Sequence, residues 1–169
     1  MNGCIACDLT SGRAALPGGT IARESGWVVE HCVGPLGVGT LIVKPERHVI
    51  YVADLTEEEA ASMGSMLHRA AGVVTELTNP DQVYISLWSH AGRHPGHIHY
   101  VVQPVDKETM ARHDAHGPKL QAAMFDLDEP PDSPSIEKFT RRARNLWHQD
   151  TNTQRYQSRV DSAISPLFR

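Results

Sequence analysis

The sequence predicts an α+β fold: an antiparallel sheet, one long helix laid against it, and a helical extension at the C-terminal end. Three observations carry that prediction. Segments rich in β-branched and aromatic residues lie on both sides of a single long run with helical spacing. They do not alternate regularly with helices, as the strands of a parallel sheet would. Beyond Val105 the strand signal stops and a second helical pattern begins.

The elements follow in order. The N-terminal stretch carries Cys4-Ile5-Ala6-Cys7 and then a loop through Pro17-Gly18-Gly19. Trp27 to Val33 reads as a strand, Gly34 to Gly39 as a turn, and Thr40 to Val43 as the returning strand of a hairpin with a long connection. Thr56 and Glu59 have capping-box spacing. From there Met63, Met66, Leu67, Ala70, Val74 and Leu77 form one apolar stripe, ended by Asn79-Pro80. The methionines read as core filler. Val83, Ile85 and Leu87 alternate with Tyr84, Ser86 and Trp88, a half-buried strand, and His97 to Gln103 reads as another. Asp106 to Pro118 reads as a loop and Leu120 to Phe125 as a short helix. Ser133-Pro134 opens a helix over about 134–148, with Ile136, Phe139, Ala143 and Leu146 at helical spacing. Residues 1–105 are therefore expected as one domain. Residues 106–169 are expected as an extension whose polar tail packs on that domain or on a second subunit.

Composition narrows the function classes. A chain of 169 residues with 40% hydrophobic content has the length and core of one folded domain. A net charge of −4 gives no general reason to expect nucleic-acid binding. The opening MNGCIACDLTSG has neither a basic nor an apolar signal region, and no apolar run approaches the ~20 residues of a membrane span. Three cysteines make a poor disulfide framework. The expectation is a cytoplasmic protein without membrane or nucleic-acid partners, with Cys4 and Cys7 available for metal and Cys32 a small buried hydrophobe. Lys138, Arg141, Arg142 and Arg144 read as a solvated basic helix face.

The densest chemistry lies in Ala91-Gly92-Arg93-His94-Pro95-Gly96-His97-Ile98-His99-Tyr100-Val101-Val102-Gln103-Pro104. Strand alternation puts His97, His99, Val101 and Gln103 on one face, with Ile98, Tyr100 and Val102 directed to the core. His97 and His99 are then ~7 Å apart along the strand. They are too far apart to share a proton, but close enough to set a metal ligand beside a nucleophile.

This segment resembles the signature of the histidine triad superfamily, which includes nucleotide hydrolases and galactose-1-phosphate uridylyltransferases. That signature is an Ala-Gly-Gln stretch, three alternating histidines, and a proline three residues on. The resemblance extends through Lys44-Pro45-Glu46-Arg47-His48, the Thr56 helix and the N-terminal Cys-x-x-Cys, covering roughly the first 105 residues. It implies that His99, as the middle histidine, attacks the α-phosphorus and carries a covalent nucleotidyl intermediate, a role suited to a neutral imidazole. It implies a structural zinc ion on Cys4, Cys7, His48 and His97, a closed tetrahedral set that cannot activate water. It also implies a homodimer and a small nucleotide or phosphorylated substrate. Backbone donors around Gly92 to Pro95 could hold phosphate oxygens, with Arg93 adding charge; Trp88, beside His90, could stack on a base or equally serve the core or an interface.

The pattern departs from the family in three places. Val101 stands where the third histidine would be, Arg93 replaces the glutamine, and His94 replaces a small hydroxyl residue. His31 falls near the position that recognises ribose hydroxyls. His94, His90 or Gln103 could replace the missing donor, or the substrate could have a leaving group that needs no acid. Two further readings stay open: an open zinc site on His94, His97 and His99 that activates water, or a substrate without a nucleotide. A third is a nucleotide-binding module without turnover.

Overall fold

The computed structural model describes residues 3–91 and 94–149; the expected tail from Thr151 lies outside them. Helix α1 (Ile5–Ser11) precedes strands β1 (Ala22–Glu24), β2 (Trp27–His31) and β3 (Leu41–Pro45). Helix α2 (Glu57–Thr78) leads to β4 (Gln82–Ala91) and β5 (His94–Val105). Helices α3 (Lys107–His113), α4 (Pro118–Leu127) and α5 (Ser133–Gln149) follow. The five strands form one antiparallel sheet in the order β1-β2-β3-β5-β4. This is the α+β architecture the sequence predicts.

Helix α2 begins as its capping box requires: the Glu59 N–H donates to Thr56 Oγ1 and the Thr56 N–H to Glu59 Oε2. One face of the sheet presents Trp27, Val29, Leu41, Val43 and Val102 to Met66, Ala70, Val73 and Val74 of α2. Phe139, Ala143 and Trp147 of α5 join the same core. Each large side chain buried there contributes roughly 1.5–3 kcal/mol relative to exposure. Asp132, rather than the expected Ser133, caps α5 by accepting from the Ser135 N–H. Of the expected basic face of α5, Arg144 turns inward instead, donating to the carbonyls of Gly18 and Thr20.

The opposite face is also covered, which the alternation of β5 does not reveal. Leu120 and Met124 of α4 pack with Leu36 on Cys32, Val101 and Val105. The segment expected as a loop after Asp106 contains α3, opened by the Asp106 side chain accepting from the Thr109 N–H. Strand β4 is an edge of the sheet, and Ile85 and Leu87 on it are exposed. Among the described residues no helix is long and apolar enough to cross a membrane.

Candidate metal centre and its neighbouring histidine

The site forms where α1, the segment after β3 and the middle of β5 meet. Cys4 is the residue before α1 and Cys7 lies in its first turn, so the i, i+3 spacing brings both thiols to one side. Cys7 Sγ is 3.3 Å from His48 Nδ1 and 3.5 Å from His97 Nδ1, and Cys4 Sγ is 4.0 Å from His97 Nδ1. All four donor atoms lie within 4.8 Å of one another. Tetrahedral zinc with bonds of 2.0–2.3 Å places its ligands roughly 3.3–3.8 Å apart; the donor set fits that ion in chemistry, and the Cys7 contacts to His48 and His97 fall within that spacing while Cys4 stands slightly wider.

The protonation pattern fits as well. His97 Nε2 is 2.9 Å from Pro45 O, to which it donates, leaving Nδ1 as the free base facing the sulfurs. Burial holds His97 down at about 4, so it is neutral at pH 7, the form that ligates a metal. Arg47 makes two hydrogen bonds to Glu59, Nε to Oε1 and Nη2 to Oε2, and so ties the turn before His48 to the start of α2.

His99 stands two residues along β5 from His97, half-buried and outside the cluster. Its Nδ1 is 3.0 Å from the His97 carbonyl, to which it donates, leaving Nε2 with the lone pair. Burial pushes its imidazole below the ordinary range, and the nearby Lys44 ammonium adds to this, while the bond to the His97 carbonyl opposes it. Trp88 is its cross-strand neighbour, with ring centroids 6.2 Å apart, and Phe125 of α4 packs edge-on against Trp88. Val101, in the third histidine's place, is buried beneath α4. His90 and His94 are exposed at the β4–β5 end, and Gly92 and Arg93 lie outside the described residues.

Two residues expected at a substrate are withdrawn from it. Gln103 is fully buried, its Nε2 donating to Leu36 O at 3.4 Å and touching Met124 Sδ at 3.0 Å. His31 shares the face of β2 that carries Trp27 and Val29, so it points at α5, edge-on to Phe139, rather than toward His99. It donates from Nδ1 to Cys32 O and accepts at Nε2 from the Gly39 N–H. Gly39 has φ +98°, and a Cβ there would meet Thr78 at 2.8 Å, so glycine is required for that contact.

Burial lowers His31 to about 4 from an ordinary 6.5. Because the unfolded chain binds the proton more readily, this stabilisation is complete above pH 6.5 and is lost as pH falls toward 4. The loss amounts to up to ~3 kcal/mol. Urea unfolding at pH 7 and pH 4.5 is expected to show a smaller drop for His31→Gln than for the wild type. An equal drop in both would rule His31 out as the cause.

The sequence reading missed Glu30 and Lys44. Both lie on the site face of β2 and β3, and Lys44 donates to Glu30 and, at 2.8 Å, to Ala6 O inside the Cys-x-x-Cys helix. The available signal was a charge of each sign within apolar strands, Trp27-Val28-Val29-Glu30 and Leu41-Ile42-Val43-Lys44.

Comparison with known proteins places this arrangement. No family model matches the chain, and no curated protein matches it in sequence. Solved structures do. A zinc-bound histidine triad family protein from Mycobacterium smegmatis matches with a TM-score of 0.61 at 21% identity, covering 89% of this chain and 97% of that one. A hypothetical histidine triad nucleotide-binding protein from Sulfolobus tokodaii matches at 0.67 and 11% identity, over 89% and 96% of the two chains. A Hit-like protein from Bartonella henselae, described as involved in cell-cycle regulation, matches at 0.63 and 11%, over 86% and 98%. The chain has the histidine triad fold.

Proposed function

We propose that this chain is a histidine triad enzyme that hydrolyses or transfers a nucleotidyl or related phosphoryl group through His99. The observation that carries the proposal is the state of His99. Its imidazole, pushed by burial toward the neutral form, has Nδ1 anchored to the His97 carbonyl and Nε2 left basic, two residues along β5 from a four-residue donor cluster that could hold a metal. We further propose that Cys4, Cys7, His48 and His97 hold zinc, whose role is to fix the strand that carries His99. With both nitrogens of His97 engaged away from His99, the donor geometry favours this centre over an open site on His94, His97 and His99.

In the proposed reaction the Nε2 lone pair attacks phosphorus, an N–P bond forms, and the bond to the leaving group breaks with its electron pair departing on the leaving group. Water or another acceptor then attacks the same phosphorus, and the N–P electrons return to Nε2. Gly92 and Arg93 bind the phosphate oxygens in this scheme, and Trp88 stacks on the base. Val101 offers no proton, and Gln103 is withdrawn, so His94 or His90 protonates the leaving group or the substrate dispenses with an acid. An acid is ordinarily worth ~10²–10⁴ in rate, which favours substrates with good leaving groups. The burial of His31 away from His99 favours a second reading, the same chemistry on a phosphorylated substrate without a ribose.

The test is a panel of phosphoramidates, dinucleoside polyphosphates, nucleotide sugars and non-nucleotide phosphoesters, with products resolved by chromatography. Turnover of a nucleotide substrate is the expected result. Turnover of non-nucleotides alone would select the second reading. Binding without turnover would overturn the enzyme assignment in favour of a nucleotide-binding module.

The proposal includes a cytoplasmic homodimer. Exposed Ile85 and Leu87 on the open edge strand β4 support that association. Light scattering is expected to show twice the chain mass for the wild type and the monomer mass for Leu87→Lys. A wild-type monomer would contradict it.

A further inference from the structure

We propose that Lys44 and Glu30 form a buried clamp that positions the Cys4–Cys7 helix for metal binding, an inference that rests on the zinc-site reading above. Helix α1 has seven residues, none of them buried, and its Ile5 is 60% exposed. So short a helix does not hold itself together, and none of its residues is fully buried against the sheet.

Two polar contacts tie it to the sheet. Lys44 Nζ donates to Ala6 O at 2.8 Å, next to Cys7 and between the two cysteines, and Arg23 donates to Thr10 O at 2.7 Å from the exposed edge. Lys44 is fully buried, and its charge is answered by Glu30, which is itself 1% exposed. The register explains the pairing. Val28 lies opposite Lys44 and Glu30 opposite Ile42, so the two charges are diagonal neighbours on one face.

The segment from Lys44 to His48 thereby organises the whole ligand set. His48 is a ligand, Pro45 O fixes the tautomer of His97, and Lys44 holds the backbone between Cys4 and Cys7. A buried ion pair is a poor way to stabilise a core, because apolar residues of similar volume do as well or better. The contact that apolar residues cannot reproduce is the one to Ala6 O. Lys44 is a positioning residue, with Glu30 as the counter-charge that lets it stay buried.

The experiment separates zinc affinity from folding, using full-length wild type, Lys44→Met, and the double variant Lys44→Met with Glu30→Leu. Lys44→Met leaves Glu30 unpaired in the core and is expected to lower the unfolding temperature. The double variant removes both charges and is expected to unfold close to the wild-type temperature. Competition against a zinc chelator is expected to show the double variant binding zinc ~10–100-fold more weakly, with faster amide exchange at residues 5–11. Wild-type zinc affinity and wild-type exchange in the double variant would overturn the clamp while leaving the zinc site standing. A wild type that takes no zinc would overturn both. Failure of the double variant to fold would also overturn the proposal, since the pair would then be required by the core itself.

Discussion

Replacing His99 by alanine is expected to lower turnover of the productive substrate by at least ~10⁴-fold, the scale on which removing an enzyme's nucleophile acts. The Nδ1–H bond to the His97 carbonyl fixes the ring, and burial keeps the imidazole neutral at pH 7. Alanine removes the N–P bond-forming atom while leaving the backbone of β5 and the His97 carbonyl in place. Zinc content and unfolding temperature are therefore expected to stay near wild type, so that the loss reads as chemistry. Rate measurements under saturating substrate check this, and a decrease of less than tenfold would mean that another group does the chemistry.

Replacing Cys4 and Cys7 together by serine is expected to abolish zinc binding and release the N-terminal helix. Bound zinc at about a thousandfold above its dissociation constant adds ~4 kcal/mol of stability. For a chain of this size that corresponds to roughly 10 °C in unfolding temperature. Helix α1 has no fully buried residue, so without the metal, contacts such as the Lys44 and Arg23 hydrogen bonds described above are too few to keep it in place. Elemental analysis and a thermal melt check both effects. One zinc retained per chain after the double replacement would instead indicate a histidine-only centre on His94, His97 and His99, the metal-assisted alternative.

Legibility in the sequence followed the range of the interactions. Helix α2 was readable because its capping box and apolar stripe are local, and the structure reproduces both ends. Helix α3 was not, because its residues carry no apolar periodicity and only the Asp106 cap announces it. Helix α1 escaped for a related reason: its cysteines advertise chemistry, and no buried face advertises a helix. At the site, alternation placed His97, His99, Val101 and Gln103 on one face, but alternation cannot say what covers that face. Leu120 and Met124, from a distant segment, bury the half that holds Val101 and Gln103 and leave His99 beside Trp88. The same limit misdirected His31. Its neighbour Glu30, with Val28, lies on the site face, and only the pairing with β3 fixes that parity.

A bond between His99 and phosphorus would be seen in the mass of the intact protein. Wild type and His99→Ala would each be mixed briefly with the substrate that turns over and quenched without acid. An acid-labile mass increment equal to the transferred nucleotidyl or phosphoryl group is expected on wild type and none on the variant. An increment that persists in His99→Ala, or turnover of wild type with no increment at any quench time, would contradict it.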